Sequence, residues 1–189
     1  MVDCDGMCSA TIVRQFLNAQ YNIDPIVYIR KGKAHGLRKS ASDDVIPKII
    51  EDGCQLLIVP DTGSNDADEC QDLLMHRCYT LILDHHKIEV ENPWAVVINH
   101  HLGEGLNTAL SGTGVTAKFI EYYCQKYGLF IPYVDDLVAM SIISDSCDLT
   151  ALENRYYVHN GLHNVQNPLI QAMLPSAIKR YGLTPTGYS

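Results

Sequence analysis

Aspartate and histidine side chains occur in four short segments, at spacings that could hold divalent metal ions. They are Asp3 and Asp5 in VDCDG, Asp61 in VPDTGSND, Asp84, His85 and His86 in LDHHK, and Asp145 in IISDS. Carboxylates combined with imidazoles, without a pair of thiolates, suit Mn²⁺ or Mg²⁺. Four of these five aspartates could hold two ions roughly 3.5–4 Å apart, an arrangement that favours in-line displacement at a phosphate.

Each of these segments also has an ordinary explanation when it is taken alone. Asp3 and Asp5 could belong to a solvated turn, Asp61 could be a turn former, and Asp145 could be a solvated acid at a helix end. Adjacent histidines such as His85 and His86 are often surface residues. The combination favours a site, because every segment falls at a predicted strand or helix end.

The elements that must position these side chains alternate between helical and strand-like patterns. Helical periodicity covers residues 9–20, 42–51, 66–76, 111–127 and 134–143 and resumes near 152 and 168, and short apolar runs cover 26–29, 56–59, 80–83 and 94–98. This pattern predicts an α/β fold: a parallel sheet with helices on both faces, followed by a helical C-terminal part on the sheet's edge. Ligands of such sheets bind beyond the carboxyl ends of the strands, where Asp61 and Asp84 fall.

Composition and charge are those of an ordinary globular chain with one sizeable domain. The 189 residues are 47% hydrophobic and 19% charged, and no apolar run approaches the length of a membrane span. Seven cysteines without a CxxC pair fit reduced thiols in a cytoplasm. The net charge of −8 argues against a generally basic nucleic-acid surface. Basic residues do cluster at 30–39, which could be a solvated loop or a phosphate-binding edge; in the second case Arg38 is a candidate phosphate contact.

The motifs resemble, in their order along the chain, those of the DHH phosphoesterase superfamily, nearest to its RecJ-like exonucleases and oligonucleotide phosphodiesterases. The stretches that carry the resemblance are VDCDGMCSA, VPDTGSND, LDHHKIE, LSGTGVTAKFIEYY and MSIISDSCDLTALENR, which lie between residues 2 and 155. The resemblance implies a phosphodiesterase that cleaves single-stranded DNA or short oligonucleotides. It also implies two bound Mn²⁺ ions, with Mg²⁺ as the alternative.

The resemblance further implies a role for each motif residue. The metal ligands would be Asp3, Asp5, Asp61, His85 and Asp145, with Asp61 shared by both ions. Asp84 would orient its neighbours and His86 would face the scissile phosphate, so both are predicted to be catalytic.

Further residues are candidates for substrate binding besides Arg38. Ser111 and Gly112 begin a predicted helix, whose N-terminal amides suit phosphate, although simple capping explains them equally well. His100 and His101 follow the predicted strand at 94–98 and point to the same edge of the sheet, although exposed surface histidines are the alternative.

The sequence departs from the family pattern at both ends. Family members carry a strand and a histidine ahead of the first aspartate pair, whereas only Met1 and Val2 precede Asp3 here. We therefore expect a missing first strand and an open sheet position that a second chain could fill, as a homo-oligomer. We expect a catalytic α/β domain over residues 1–150 and, over 151–189, a helical tail or the start of a linker without the family's second domain.

Two alternatives to an active nuclease remain open from the sequence. The chain could be a truncated, non-catalytic member that keeps the fold. It could also be a pyrophosphatase-like member, although DHHK and LSGTGV favour the RecJ-like branch.

Overall fold

The computed structural model describes residues 3–29, 36–37, 44–104 and 106–173. The helices are α1 (Cys4–Tyr21), α2 (Ile46–Glu51), α3 (Ala67–Met75), α4 (Gly112–Tyr127), α5 (Asp135–Ser144), α6 (Leu152–His163) and α7 (Pro168–Met173). The strands are β1 (Leu56–Pro60), β2 (Tyr79–Asp84) and β3 (Val96–Asn99), and a 3-10 turn over His100–Leu102 follows β3. A search of these described residues finds no helix that is both long and apolar enough to cross a membrane.

The three strands form a parallel sheet in the order β1-β2-β3. Pro60 is in register with Leu83, and Asp84 is in register with Asn99. The residues that follow the strands therefore meet at one edge, because parallel strands end on the same side. The predicted α/β fold with a parallel sheet is confirmed.

Helices cover both faces of the sheet, as predicted. Side chains of β1 and β2 pack with α2 and α3 in a cluster that includes Leu57, Val59 and Ile82. On the other side α4 contacts all three strands, and α1 contacts β1. A second cluster lies among α1, α4, α5 and α6. We expected the helical second half to pack on the sheet's edge, but α4 instead crosses the sheet, because its buried face must cover all three strands.

Helix α1 begins at Cys4, five residues before the predicted start at residue 9. Asp3 is its N-cap, and the Asp3 carboxylate accepts a 2.9 Å hydrogen bond from the amide of Gly6. The capped first turn needs no apolar periodicity, which is why the sequence pattern missed it. Asp3 therefore lies at the N-cap of α1 and Asp5 in its first turn.

The predicted strand at residues 26–29 is wrong. These residues lie outside regular secondary structure, and the side chains of Ile26 and Ile29 are 66% and 67% exposed. An apolar run supplies side chains for a strand but not the neighbouring strand with which it must pair. Within the described part of the chain, β1 pairs only with β2.

The helix predicted over residues 42–51 is shorter in the structure, where α2 begins at Ile46. Residues 42 and 43 lie outside the described residues. The carboxylate of Asp44 accepts a hydrogen bond from the amide of Ile46, and Gly53 has a left-handed φ of +67° just beyond the helix end. Gly53 thus ends the helix as predicted.

The predicted boundary between a domain at 1–150 and a tail at 151–189 stays a prediction. Helix α6 packs on α5, and Tyr157 and Ile170 are buried in the same cluster as residues of α1 and α4. The described part of this segment is thus helical and shares the core of the preceding helices.

Candidate metal centre

Asp84 is a buried carboxylate that organises the two histidines after it. Its Oδ1 accepts the amides of His85 and His86 at 2.7 and 3.1 Å, and also His86 Nδ1 at 2.8 Å. Its Oδ2 accepts the amide of Ser64 at 3.0 Å. Burial alone would raise the pKa of Asp84, but the hydrogen bonds from His86 and Ser64 outweigh burial and hold it well below its ordinary value. The ionised carboxylate can only accept, so His86 carries a proton on Nδ1.

Asp5 is held in a nest of donors at the N-terminus of α4. Its Oδ2 accepts the amide of Gly112 at 2.8 Å. Its Oδ1 accepts the amide of Thr113 at 2.7 Å and the hydroxyls of Thr113 and Ser141, each at 2.6 Å. Burial opposes ionisation, yet these donors keep the pKa of Asp5 below its ordinary value. Asp5 therefore keeps its negative charge although it is only 2% exposed.

His85 is the point where carboxylates from distant parts of the chain converge. Its Nε2 lies 3.3 Å from Asp61 Oδ1, 3.6 Å from Asp5 Oδ2 and 3.9 Å from Asp145 Oδ2. Two groups of ligand atoms, each mutually within 4.8 Å, are Asp5–His85–Asp145 and Asp61–His85–His86. Ligands about 2.1 Å from one ion lie about 3.0–3.4 Å apart when adjacent and about 4.2 Å apart when opposite. The distances of 3.3, 3.6 and 3.9 Å from His85 Nε2 fall between these spacings, so the residues present fit a divalent metal.

Asp61 has the features of a metal ligand, and its nearest charged neighbour is His85, whose Nε2 lies 3.3 Å from Asp61 Oδ1. Its Oδ1 is buried and, among the described residues, accepts no well-aligned hydrogen bond. Its backbone takes a left-handed φ of +65°, a strained conformation for a residue other than glycine. Burial raises the pKa of Asp61 to about 7. A bound cation would offset this buried charge.

Gly112 allows Asp61 to approach the start of α4. A Cβ at this position would overlap with Asp61 Oδ1 and lie 2.9 Å from Asp61 Cα. Any larger residue would therefore displace Asp61, whose amide is fixed by a 2.8 Å hydrogen bond to the carbonyl of Leu83. Glycine is required at position 112 because a side chain there would occupy the space that Asp61 fills.

Asp3 lies at the border of this cluster. It belongs to neither of the two ligand groups found among the described residues. A methyl group added at Gly6 would nevertheless lie 3.4 Å from Asp3 Oδ1 and 3.3 Å from Asp61 Oδ2, so the two carboxylates flank Gly6. Asp3 is thus beside the site while its Oδ1 caps α1.

The residues predicted to bind substrate have different surroundings. Ser111 is buried as the N-cap of α4, and the Gly112 amide donates to Asp5, so neither faces open space. His100 is 6% exposed, and neither of its ring nitrogens has a hydrogen-bond partner among the described residues. His101 is exposed and packs against the His100 ring. Arg38 lies outside the described residues.

Several residues that organise the site were not predicted from the sequence. Thr113 and Ser141 bind Asp5, and Ser64 binds Asp84. Asn99 donates to Ser64 Oγ and to the carbonyl of His86, at 3.0 and 2.9 Å. A signal existed for Ser141, which is four residues before Asp145 and therefore on the same helix face. No local pattern marks Thr113 or Ser64 as a partner of a distant carboxylate.

The sequence of the chain matches the model of a known protein family. Residues 1–142 match the family model for the DHH family, N-terminal domain, and the chain belongs to that family. The resemblance inferred from the motifs is thereby confirmed.

Particular relatives of the chain include two proteins that are named as putative exonucleases. Over 178 residues it is 31% identical to the putative SPbeta prophage-derived single-strand DNA-specific exonuclease YorK of Bacillus subtilis (strain 168), and equally to the putative single-strand DNA-specific exonuclease yorK of Bacillus phage SPbeta. The match covers 90% of this chain but 29% of either relative.

Solved structures show the same fold. The chain matches exonuclease RecJ bound to manganese with a TM-score of 0.71 and 26% identity, over 85% of this chain and 40% of that one. It also matches RecJ of Thermus thermophilus in complex with Mn²⁺, with a TM-score of 0.69 and 24% identity, over 85% of this chain and 22% of that one. The chain thus spans less than half the length of these relatives.

Proposed function

We propose that this chain is a metal-dependent phosphodiesterase that hydrolyses single-stranded DNA or short oligonucleotides, with Mn²⁺ as its preferred ion and Mg²⁺ as a substitute. The observation that carries the proposal is the approach of three carboxylates, from Asp5, Asp61 and Asp145, to His85 Nε2 within 3.9 Å. The single-strand nuclease relatives and the manganese-bound RecJ structures support this substrate and this ion. Seven free cysteines support a cytoplasmic site of action.

The residues that would hold the ions come from four segments. Asp5, His85 and Asp145 form one group of potential ligands and Asp61, His85 and His86 form the other, so His85 is common to both. Asp61, which the family resemblance assigns to both ions, lies with Asp3 on either side of Gly6. Two bound divalent ions supply Lewis-acid polarisation of phosphoryl oxygens and lower the pKa of a nucleophilic water. Without cations, these carboxylates would repel a phosphodiester, so substrate binding should require metal.

His86 is the proposed contact to the reacting phosphate. Its side chain is 36% exposed at the mouth of the site, whereas Asp84 behind it is 1% exposed. The hydrogen bond to Asp84 raises the pKa of His86 and favours the imidazolium. An imidazolium can donate from Nε2 to a phosphate oxygen and can protonate a leaving oxygen. Asp84 acts through His86 as a positioning residue.

The first experiment is hydrolysis of a labelled single-stranded oligonucleotide, a dinucleotide and inorganic pyrophosphate, with Mn²⁺, with Mg²⁺ and with a chelator. We expect Mn²⁺-dependent cleavage of the two nucleic acids. His85→Ala should lower the rate about a hundredfold or more, because it removes the ligand common to both groups. His76→Ala is the matched control, since His76 lies at the end of α3 outside the site.

Three results would contradict the proposal. Equal rates for His85→Ala and the parent chain would identify a contaminating nuclease. Cleavage of pyrophosphate alone would favour the pyrophosphatase-like alternative. A folded chain that turns over none of the substrates with excess Mn²⁺ would favour the non-catalytic alternative.

A further inference from the structure

Cys4 and Cys8 form a close thiol pair beside the candidate metal centre. They are four residues apart on α1, and their sulfur atoms are 3.8 Å apart. Helix geometry places Cα atoms at this spacing about 6.2 Å from each other. Disulfides span Cα separations of roughly 4.4–6.8 Å, which includes this spacing, but they need Cβ atoms about 3.5–4.5 Å apart. Because Cβ atoms at i,i+4 on a helix are about 5–6 Å apart, closing the bond requires the first turn of α1 to distort by about an ångström or more.

The two thiols differ in exposure and in surroundings. Cys4 is partly exposed and lies between Asp3 and Asp5 in the first turn of α1. Cys8 is 8% exposed and belongs to the core cluster shared by α1, α4 and α5. A small oxidant would therefore reach Cys4 first, and Cys8 would be the second thiol to react.

We propose that Cys4 and Cys8 are a modification site, at which a peroxide oxidises the two thiols to a reversible disulfide. The disulfide weakens metal binding at the neighbouring site, and this second part of the proposal rests on the proposed metal-dependent function. The Cys4 thiol attacks one peroxide oxygen and the O–O bond breaks. One water molecule departs, and Cys4 is left as a sulfenic acid. The Cys8 thiol then attacks this sulfur, the S–O bond breaks, and a second water leaves. The two thiols give up two electrons and the peroxide accepts them. An external dithiol reverses the bond by exchange.

The disulfide would move the metal ligands because of where its ends are held. The sulfurs must approach from 3.8 Å to about 2.05 Å. Cys8 is fixed in the core, so the movement falls on Cys4 and on the flanking Asp3 and Asp5. Asp5 has four hydrogen bonds with donor–acceptor distances of 2.6–2.8 Å, which such a shift would disturb. Loss of supporting contacts of this kind typically lowers metal affinity about 10–100-fold.

Peptide mapping tests the bond itself, without reference to activity. The chain is treated with hydrogen peroxide, free thiols are alkylated, and the protein is digested with trypsin. The peptide of residues 1–14 contains Cys4 and Cys8 and no other cysteine. We expect this peptide to be unalkylated and two hydrogen atoms lighter than its reduced form, with reversal by a dithiol. A fully alkylated peptide, or Cys4 joined to Cys147, would overturn the proposal.

Mn²⁺ affinity, measured by electron paramagnetic resonance before and after peroxide, tests the coupling. We expect at least about tenfold weaker binding in the oxidised parent chain and no change for Cys8→Ala. Cys4→Ala removes the more exposed of the two thiols and also prevents the disulfide, so it replaces Cys8→Ala in this experiment if Cys8→Ala folds poorly. Cys54→Ala is the matched control and should respond to peroxide as the parent does.

The outcomes separate this proposal from the proposed function. A disulfide that forms without weakening Mn²⁺ binding would overturn the coupling but leave the metal site intact. A reduced chain that binds no Mn²⁺ would overturn the metal site and the coupling together. The peptide mass would still decide whether Cys4 and Cys8 join.

Discussion

The amide of Gly112 donates a 2.8 Å hydrogen bond to Asp5 Oδ2, although 107 residues separate them in the chain. The N-terminus of α4 thereby faces the carboxylate of Asp5, where its amides and the helix dipole favour negative charge. This contact uses an amide that the sequence had suggested for substrate phosphate. The start of α4 is thus a support for a candidate ligand rather than an open anion site.

The support given by Thr113 can be tested by removing its hydroxyl. Thr113→Val keeps the shape of the side chain but loses the hydroxyl's hydrogen bonds to Asp5 Oδ1 at 2.6 Å and to the Asp5 carbonyl at 2.9 Å. We expect metal affinity to fall about tenfold and the free energy of unfolding to fall by about 1–3 kcal/mol. Isothermal titration with Mn²⁺ and urea unfolding would measure the two effects.

Thr116→Val is the matched control on the same helix. Thr116 is as buried as Thr113, but its hydroxyl has no hydrogen-bond partner in the described part of the structure. This change should be neutral or stabilising and should leave Mn²⁺ affinity unchanged. Equal losses in the two variants would show that Thr113 acts through packing and not through Asp5.

Adding a methyl group at Gly112 should damage the site through Asp61. The new Cβ would lie 2.9 Å from Asp61 Cα, so the strand end or the helix must shift. We expect Gly112→Ala to destabilise the fold by about 1–3 kcal/mol and to abolish most Mn²⁺-dependent hydrolysis. Thermal unfolding and initial rates would report these losses.

Gly53→Ala provides the comparison for a glycine without crowding. A Cβ at Gly53 meets no atom of the described residues within 4 Å, and its only penalty is the positive φ of +67°. The variant should lose about 1 kcal/mol of stability and keep full activity. A loss of activity similar to that of Gly112→Ala would mean that general destabilisation explains both.

The ionised state of Asp84 predicts a specific dependence of stability on pH. Its pKa is lowered on folding, so its contribution to stability is present above the unfolded pKa of about 3.9 and is lost as pH falls towards the folded pKa. Asp84→Asn removes this contribution. We expect the gap in unfolding free energy between parent and variant to be largest above about pH 5 and to narrow below about pH 4. Urea unfolding at several pH values measures the gap, and a gap independent of pH would contradict the prediction.

Asp145 and Asp148 form a matched pair for testing whether Asp145 is a metal ligand. The side chain of Asp145 is 40% exposed and its Oδ2 lies 3.9 Å from His85 Nε2. The carboxylate of Asp148 instead accepts a hydrogen bond from the amide of Thr150, two residues further along the chain. Asp145→Asn should weaken Mn²⁺ binding about tenfold with little change in stability. Asp148→Asn should leave Mn²⁺ binding unchanged. If both variants bound Mn²⁺ like the parent, Asp145 would not be a ligand.

The sequence alone was sufficient for the fold class and for two of the strands that carry the site. The runs at 56–59 and 80–83 are short, apolar and bounded by turn residues, and both are strands in the structure. The placement of Asp61 and Asp84 at the ends of these strands followed from the same local patterns. The motifs on which the family resemblance rested were equally local, and the family match confirmed that resemblance.

The tertiary structure alone decided which of these local features would meet. The run at 26–29 is as apolar as the true strands, but it has no neighbouring strand in the described residues and stays outside the sheet. The donors to Asp5 come from α4 and α5, more than 100 residues away. Side-chain type and spacing determine what a segment can offer, because they act within a turn or two. Which carboxylate receives an amide at the start of α4 depends on how the helices pack on the sheet, and that is a property of the whole chain.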